Sequence, residues 1–338
     1  MVAPTRQQKR CDIALLVDVE TGEHDGKGGF VPDPDSMESD VLKCLCERHA
    51  AVKVVPFEID IEDTVRDLRQ LKPRLVFNLT EWLDGDRRLD AAIAGMLDAM
   101  KIPYTGTGPV GMHLARDKAL SKAIVGSLGI AVPRHVIVDG PRTHHGDLRF
   151  PLMVKPQFGD GSDEIAKSAV VHGPRELAQR VQAVRRRVKA PVLVEEYVPG
   201  TDLFVGLLGN EPRVLKPLEL VVGNPGAGAP SIATCRIKTN AAYRARWKIG
   251  YRPAHLPRTV VRTIEQASRR IFHALKLRDY ARIDYRLTAD HEPVFLEANP
   301  NPDLSPHTFG ENQCFAGVAY ADLIGGIVNS ALQRANAR

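Results

Sequence analysis

The sequence predicts an α/β protein that contains a parallel sheet. Apolar runs with strand character alternate with segments of helical periodicity, and the first three such runs are CDIALLVDV, VKVVPF and PRLVFNL. This alternation is typical of a parallel sheet whose strands are joined by helices. The length of 338 residues indicates two or three lobes rather than one small domain.

Composition and charge exclude several classes of protein. No apolar run reaches the roughly 18 residues of a membrane span, and the apolar segment near the N-terminus is the first predicted strand. We therefore expect a cytoplasmic protein without a membrane partner. The net charge of +5 is spread over predicted helices, which argues against a nucleic-acid partner. The five cysteines are an odd number, so no disulfide framework is expected.

The first lobe is predicted to cover residues 1–115. Its first three strands alternate with helices expected at 37–49 and 61–71, and a third helix follows in DAAIAGMLDAMKI. The polar segment NLTE comes at the carboxyl end of the third strand. Open α/β sheets bind ligands at that end, although ordinary loop positions are the alternative interpretation.

Two more lobes are predicted, a central one at 116–199 and a C-terminal one at 200–338. The central lobe has strands in VPRHVIV, FPLMVKP and PVLVEEYV and helices in GMHLARDKALSKAIVGSLG and PRELAQRVQAVRRR. The C-terminal lobe contains a glycine-rich stretch, about 223–250, that we interpret as a lid, because long loops in compact enzymes commonly close over a site. Helices at 257–276 and near 315–334 complete the prediction.

The segment ARIDYRLTADHEPVFLEANPN, residues 281–301, predicts a β-hairpin, because two strand-like runs flank TADHE. If the turn is centred between the aspartate and the histidine of TADHE, Asp284 faces Glu297 and Arg282 faces Asn299. All four side chains then project from one face of the sheet. A slip of one residue in the register would separate them.

A metal site is expected where these four side chains meet. Asp284 and Glu297 are directly opposed carboxylates, which repel each other and destabilise the strand pair. A divalent cation removes the repulsion, and Asp284, Glu297 and Asn299 offer the oxygen donors that Mg²⁺ prefers. Arg282 lies beside them, where its guanidinium suits a phosphate or a developing oxyanion. The alternative is a surface hairpin with ordinary charges.

Two segments of the central lobe suit a nucleotide. Lys155 ends an apolar strand, and the loop QFGDGS that follows contains Gly161 and Ser162. A lysine beside the backbone N–H groups of a glycine-rich loop suits phosphate groups. The strand VLVEEYV offers polar groups at Glu195 and Glu196, followed by an apolar wall that suits a purine.

In this order, the segments resemble the ATP-grasp superfamily and, within it, the D-alanine–D-alanine ligase family. The resemblance covers nearly the whole chain. It is strongest in LDAAIAGMLDAMKIPYTGTG with LARDKALSK, in LMVKP with the GDGS loop, in VLVEEYVPGTD, and in ARIDY with FLEANPN. It implies an ATP-grasp fold of three lobes with a Rossmann-like N-terminal sheet and with ATP bound between the central and C-terminal lobes.

The resemblance also implies a role for each matching residue. The residues implied to contact ATP are Lys118, Lys155, Gly161, Glu195, Glu196, Tyr197, Val198, Asp202 and, from the lid, Lys238, for which Arg246 is the alternative. Among them, Glu195 would bind the adenine amino group and Asp202 the ribose. The metal ligands Asp284, Glu297 and Asn299 would hold two Mg²⁺ ions, with Mn²⁺ as an alternative. Arg282 would stabilise the oxyanion.

The implied reaction is the ATP-dependent joining of a carboxylate to an amine. ATP phosphorylates the carboxylate of one substrate, and the amine of the second substrate attacks the acyl phosphate to give an amide, ADP and phosphate. Glu38 would bind the ammonium group of the first substrate, for which a first-turn acid stabilised by the helix dipole is the alternative. Ser162 would orient the same substrate.

Two positions near the second substrate depart from the family pattern. Asp303 stands where the family has glycine, and it either adds bulk and negative charge or holds a cationic group on the nucleophile. Thr308 would replace the family's serine at the second carboxylate. We therefore expect a ligase of amino acids or amines, with an authentic D-alanine–D-alanine ligase as the near alternative. An ATP-grasp kinase and a non-catalytic nucleotide-binding protein are alternatives of another class, and the family implies a homodimer.

Overall fold

The structure is a computed structural model that describes residues 11–58, 60–81, 89–139, 145–159, 169–224, 237, 240–306 and 311–337. The chain divides into two compact units. The first unit comprises Met1–Pro109, Asp303–Pro306 and Val318–Arg338, and the second comprises Val110–Pro302 and His307–Gly317. The expected three lobes and their boundaries stay a prediction.

A three-stranded parallel sheet lies at the centre of the first unit, in agreement with the predicted α/β class. Strand β1 (Ile13–Asp18) lies between β4 (Val52–Phe57) and β5 (Leu75–Asn78) and is parallel to both. Every residue of β1 is buried, which explains why its sequence is apolar up to the final residue, Asp18. The helices of this unit are α1 (Met37–Arg48), α2 (Ile61–Leu71), α3 (Asp90–Met100) and α9 (Tyr320–Asn336).

Side-chain caps set the starts of two of these helices. The Ser36 hydroxyl accepts a hydrogen bond from the Ser39 N–H at the start of α1. The Asp60 carboxylate accepts one from the Glu62 N–H at the start of α2. Such caps satisfy backbone donors that have no partner inside the helix. The cap of α1 places Glu38, a predicted substrate contact, in the first turn of that helix.

Two antiparallel sheets form the second unit. The strands of the smaller sheet are β6 (His135–Val138), β7 (Leu152–Pro156), β8 (Val170–Val171) and β9 (Val192–Glu196), in the order β6-β9-β7-β8. The strands of the larger sheet are β10 (Thr201–Leu208), β11 (Arg213–Val214), β12 (Leu218–Val222), β13 (Ile249–Pro253), β14 (Tyr280–Leu287) and β15 (Pro293–Pro300). The larger sheet has the order β13-β12-β10-β14-β15, and β11 pairs with β10.

The helices of the second unit are α4 (Pro109–Arg116), α5 (Lys118–Ser127), α6 (Pro174–Val188), α7 (Ala241–Trp247) and α8 (Arg258–Ala274). Apolar residues of α5, α8 and β14 share one buried core, to which β14 contributes Ile283 and Tyr285. Because side chains alternate along a strand, the residues between them face away from this core. The opposite face of β14 therefore carries Arg282, Asp284 and Arg286.

The predicted helix GMHLARDKALSKAIVGSLG is interrupted at Asp117, which corrects the sequence prediction. Asp117 has an extended backbone, and its carboxylate accepts hydrogen bonds from the Ala119 and Leu120 N–H groups. The residue therefore ends one helical segment and caps the next. Lys118 becomes the first residue of α5, and its own N–H donates to the Gln157 carbonyl.

Other local differences have simple causes. The segment RVLKPLELV reads as one strand in the sequence but is divided into β11 and β12, since Pro217 has no N–H to donate to a neighbouring strand. A short hairpin of β2 (Gly22–His24) and β3 (Phe30–Pro32) lies between β1 and α1 and was not predicted. In the predicted lid, residues 225–236 and 238–239 lie outside the described residues, and α7 follows them. Among the described helices, none is long and apolar enough to cross a membrane.

Candidate active site

From Ala281 to Asp284, strand β14 pairs with β15 in the register that the sequence predicted. Arg282 lies opposite Asn299, and Asp284 lies opposite Glu297. Arg282, Asp284 and Asn299 are buried, with 8%, 6% and 6% of their surface exposed. The two opposed carboxylates of the predicted metal site are therefore neighbours, and the predicted oxyanion arginine lies beside them.

A β-bulge at Leu296 makes this register possible. Tyr285 pairs with Phe295, which centres the turn on Asp290, half a residue earlier than the sequence indicated. The extra residue Leu296 shifts the register back, so that Glu297 meets its predicted partner. Since the extra residue of a bulge has no partner in the strand ladder, the Leu296 carbonyl is open to other donors.

Arg282 and Asn299 both hold the carboxylate of Asp284. Arg282 donates from Nε to Oδ1 at 2.7 Å and from Nη2 to Oδ2 at 3.0 Å. Asn299 donates from Nδ2 to Oδ2 at 3.2 Å. This paired contact fixes the arginine and neutralises the carboxylate in one step.

The second carboxylate of the hairpin also has a basic neighbour. Lys118 Nζ lies 3.8 Å from Glu297 Oε2 and donates a hydrogen bond to the Gly159 carbonyl. The predicted repulsion between Asp284 and Glu297 is therefore offset by one cation on each side. In the part of the chain that the structure describes, no three His, Cys, Asp or Glu side chains group to hold a metal. A site with three protein ligands here thus depends on the amide oxygen of Asn299, and this oxygen-only donor set fits Mg²⁺.

Glu195 lies between two buried lysines. Lys155 Nζ is 2.7 Å from Glu195 Oε1, and Lys122 Nζ is 3.4 Å from Glu195 Oε2. Burial raises the pKa of the Glu195 carboxyl, but the two lysines outweigh it and hold that pKa below its usual value. The Lys122 contact is an ion pair without hydrogen-bond geometry, so Oε2 accepts no hydrogen bond from the described residues. An amino group of a bound base would satisfy this oxygen.

Arg286 organises the rest of the predicted nucleotide segment. It donates from Nε to the Val198 carbonyl at 3.0 Å, from Nη2 to the Tyr197 hydroxyl at 2.9 Å, and from Nη1 to Asp202 Oδ1. Burial lowers the pKa of the guanidinium, but Asp202 and Tyr197 outweigh it and raise that pKa. One oxygen of Asp202, the predicted ribose contact, is therefore held by Arg286.

The side chain of Glu196 holds the neighbouring loop. Its Oε1 accepts hydrogen bonds from the Arg149 N–H at 2.9 Å and from Arg134 Nη1 at 3.3 Å. Its backbone N–H donates to the Arg134 carbonyl at 2.9 Å. These contacts give Glu196 a structural role, and its predicted contact with ATP stays a prediction.

Two predicted substrate residues, Glu38 and Asp303, interact within the first unit. Glu38 is 8% exposed, and its burial raises the pKa of its carboxyl. Asp303 and Asp33 raise this pKa further through charge repulsion, whereas hydrogen bonds, including one with Ser36, lower it. Asp303 is exposed, and its Oδ1 accepts a hydrogen bond from the Ser305 N–H at 2.7 Å.

The remaining predicted site residues, Gly161, Ser162, Lys238 and Thr308, lie outside the described residues. Their roles stay predictions. Arg246, the alternative lid contact, is exposed on α7, and its guanidinium lies 5.1 Å from the centroid of the Trp247 ring.

Three residues of this region escaped the sequence analysis. Lys122 lies four residues after Lys118, a spacing that puts both on one helix face. Arg286 continues the alternation of Arg282 and Asp284 along β14, so the side-chain alternation of a strand was enough to predict that it lies on the same face. Gly206 lies opposite Arg282, and a Cβ there would be 2.8 Å from the Cys314 carbonyl. No signal in the sequence indicates that close approach.

The fold assigns the chain to the ATP-grasp class. The solved D-alanine–D-alanine ligase from Bacillus anthracis complexed with ATP superimposes with a TM-score of 0.72, covers 97% of this chain and 99% of that chain, and is 18% identical. The VanG D-Ala:D-Ser ligase from Enterococcus faecalis has a TM-score of 0.65, with 95% and 99% of the two chains covered and 17% identity.

Sequence comparison narrows this class to one family. Residues 127–329 match the family model described as the D-ala D-ala ligase C-terminus. The uncharacterised protein y4sG of Sinorhizobium fredii is 34% identical over 77% of this chain and 75% of its own length. The D-alanine–D-alanine ligase of Anaeromyxobacter dehalogenans is 30% identical over 85% of this chain and 89% of its own. The chain belongs to the D-alanine–D-alanine ligase family, whose members are ATP-grasp ligases that form carbon–nitrogen bonds.

Proposed function

We propose that this enzyme is an ATP- and Mg²⁺-dependent ligase of two amino-acid-type substrates. It joins the carboxylate of one substrate to the amine of the other through an acyl phosphate and releases ADP and phosphate. The observation that carries the proposal is the buried hairpin in which Asp284 faces Glu297 and Arg282 lies beside them. A cation fixed beside the proposed metal ligands suits the negative charge that the ligation steps develop.

The reaction has two steps. A carboxylate oxygen of the first substrate attacks the γ-phosphorus of ATP, and the bond from that phosphorus to the bridging β,γ-oxygen breaks to leave ADP. The neutral amine of the second substrate then attacks the acyl carbon of the acyl phosphate. The tetrahedral intermediate loses phosphate, and the nitrogen loses its proton to the medium. Both steps develop negative charge that fixed cations stabilise.

The basic residues of the second unit suit these charges. Lys118 and Lys155 are buried beside Glu297 and Glu195, and a phosphate group entering there would exchange one negative partner for another. Arg282 is a cation held in a fixed position beside these groups, and its charge suits the oxyanion of the tetrahedral intermediate.

Asp284, Glu297 and Asn299 would hold the metal, which neutralises charge on the phosphate oxygens when it is bound. Arg282 bonds both oxygens of Asp284, so we expect the arginine to release one of them when the metal binds. Two Mg²⁺ ions, with Mn²⁺ as a substitute, follow from the family resemblance.

The carboxylates of the first unit suit cationic groups of the substrates. Glu38 is buried near Asp303, whose negative charge disfavours the charged form of the Glu38 carboxyl. An ammonium group would relieve this repulsion, which supports Glu38 as a contact of the first substrate. For Asp303 we propose a contact with a cationic group on the nucleophile.

A phosphate-release assay with a library of amino acids and amines tests the proposal. With ATP and Mg²⁺ present, release that requires two substrates, together with a product mass equal to their sum minus water, is expected. A stable phosphorylated product from a single substrate would contradict ligation and favour a kinase. Binding of ATP without any turnover would favour a nucleotide-binding protein.

An authentic D-alanine–D-alanine ligase is the second candidate, because several relatives carry that name. D-Alanine alone then gives D-alanyl-D-alanine at a good rate. We expect instead that Asp303→Gly increases the use of D-alanine as the nucleophile, since the side chain adds bulk and charge. Equal use of D-alanine by both proteins would contradict the role of Asp303.

Location and assembly are proposed on simpler grounds. A cytoplasmic location suits an enzyme that consumes ATP. A homodimer follows from the family resemblance, and sedimentation equilibrium tests it: a single species with the mass of one chain, 37.2 kDa, would contradict it.

A further inference from the structure

Lys122 is a buried cation that the reaction above does not use. It lies one turn after Lys118 on α5 and is 0% exposed. Its ammonium donates a hydrogen bond to the Leu296 carbonyl and lies 3.4 Å from Glu195 Oε2. The centroid of the Phe295 ring is 5.8 Å from the same nitrogen.

Neutralising Glu195 does not require Lys122. Lys155 already pairs with Glu195 at 2.7 Å, so the cluster holds two lysines around one carboxylate. Burial of the second ammonium is costly, and it lowers the pKa of Lys122 to about 8. Because a buried ion pair is weak evidence for stability, the retention of this extra charge calls for another role.

The two contacts of Lys122 lie on different sheets of the second unit. Glu195 belongs to β9, the strand that is proposed to bind the base. Leu296 is the bulge residue of β15, directly before Glu297. The Lys122 ammonium therefore contacts both the strand that is proposed to bind the base and the backbone next to Glu297, a proposed metal ligand.

We propose that Lys122 is a positioning residue that fixes Glu195 and the Leu296 bulge relative to each other, and thereby sets the preference of the enzyme for adenine nucleotides. This role rests on the proposed function. Held in place, Glu195 Oε2 accepts a hydrogen bond from the amino group of adenine. Guanine carries an oxygen acceptor at the corresponding position, which the same carboxylate repels.

The replacement Lys122→Met tests this role. Calorimetry measures the equilibrium binding of Mg-ADP and Mg-GDP to the variant and to the wild type. This variant leaves Lys155 and Glu195 as a balanced pair, so we expect it to fold. The control is Phe272→Leu, which shortens a side chain that is 1% exposed in the core of the same unit. It should lower the melting temperature without touching the lysine cluster.

We expect Lys122→Met to weaken ADP binding by about 10- to 100-fold, by analogy with the loss of an outer partner of a metal ligand. Its preference for ADP over GDP should fall by about tenfold, whereas Phe272→Leu keeps the preference of the wild type. The proposal is overturned if Lys122→Met keeps both the affinity and the preference, or if the control loses them equally.

The double variant Lys122→Met/Glu195→Gln tests whether Lys122 acts through Glu195. If Lys122 acts through Glu195, the double variant and Glu195→Gln alone have the same preference between the two nucleotides. An additional loss in the double variant would contradict that path. Failure of the wild-type protein to bind Mg-ADP would instead overturn the proposed nucleotide site itself.

Discussion

The two units differ in the charges around their proposed functional acids, which have basic neighbours in the second unit and acidic neighbours in the first. In the second unit, Asp284 lies 2.7 Å from an arginine, and Glu195 lies 2.7 Å from a lysine. In the first unit, the charged groups that shift the pKa of Glu38 are Asp303 and Asp33, and both raise it. In the same unit, burial raises the pKa of Tyr320, and Asp40, Cys44, Asp303 and Glu38 raise it further.

This difference indicates what each unit receives. Acids that already have basic partners suit an anionic ligand together with a metal. The basic groups can bind the anion while the acids bind the metal, so the charges stay balanced. Acids that repel each other suit a ligand that brings its own positive charge. We therefore propose that the second unit binds the nucleotide and that the first unit binds the ammonium groups of the substrates.

The largest effect is expected for Glu297→Ala, which removes one of the opposed carboxylates. A lost metal ligand costs several kcal/mol of transition-state stabilisation, so turnover should fall by about 10³-fold or more. The matched control is Glu292→Ala, an exposed acid in the turn of the same hairpin, which should leave turnover unchanged. Steady-state phosphate release measures both, and retained activity in Glu297→Ala would refute the metal assignment.

Arg282→Ala should lower kcat by about 10²–10³-fold, as the loss of an oxyanion donor does. Arg282→Lys should recover only part of this loss, because lysine cannot make the paired contact. Arg252→Ala, which removes an exposed arginine from the same sheet, serves as the control. A change confined to KM would count against the oxyanion role.

Glu38→Gln separates stability from function. The raised pKa means that the folded protein binds more protons than the unfolded chain between the ordinary pKa of glutamate and the raised value. Stability therefore falls as pH rises through that window. At neutral pH, the variant should melt at a higher temperature than the wild type and lose affinity for the first substrate.

Thermal denaturation from pH 4 to pH 8 measures this effect. Below the ordinary pKa of glutamate, the two proteins should melt alike. Glu47→Gln changes an exposed acid of the same helix and should keep the profile of the wild type. If the melting temperatures of Glu38→Gln and the wild type changed with pH in parallel, the raised pKa of Glu38 would be contradicted.

The smallest effect is expected away from both sites, at the end of α6. Lys189 ends this helix with a left-handed backbone, φ 48°. Lys189→Gly should stabilise the protein by about 0.5 kcal/mol, because glycine adopts this conformation without strain. Arg186→Gly, one turn inside the helix, should destabilise it by about 1 kcal/mol. Urea denaturation measures both, and a destabilising effect at Lys189 would be the contrary result.

Local patterns predicted much of the fold and part of the site. Alternation along β14 and β15 was enough to pair Asp284 with Glu297, although the turn was misplaced by half a residue. The bulge at Leu296 compensates for this shift. The predicted pairing was therefore correct, although the sequence did not indicate the bulge on which it depends. The break at Asp117 escaped because its cap competes with a continuous helical pattern.

Contacts between distant parts of the chain could not be predicted. Lys122 bonds a carbonyl 174 residues away, and Arg286 bonds three groups about 85 residues before it. Spacing shows that such residues share a face, but not which partner satisfies them. The paired contact of Arg282 with Asp284 was missed for a related reason, since the sequence predicted an oxyanion contact for Arg282 and a metal contact for Asp284.

The acyl phosphate is the centre of this account, and an oxygen-labelling experiment tests it most directly. The first substrate is prepared with ¹⁸O in its carboxylate and incubated with the enzyme, ATP, Mg²⁺ and the second substrate. We predict that the released phosphate carries one ¹⁸O atom, because the carboxylate oxygen leaves with the phosphoryl group. Amide product accompanied by unlabelled phosphate would contradict it.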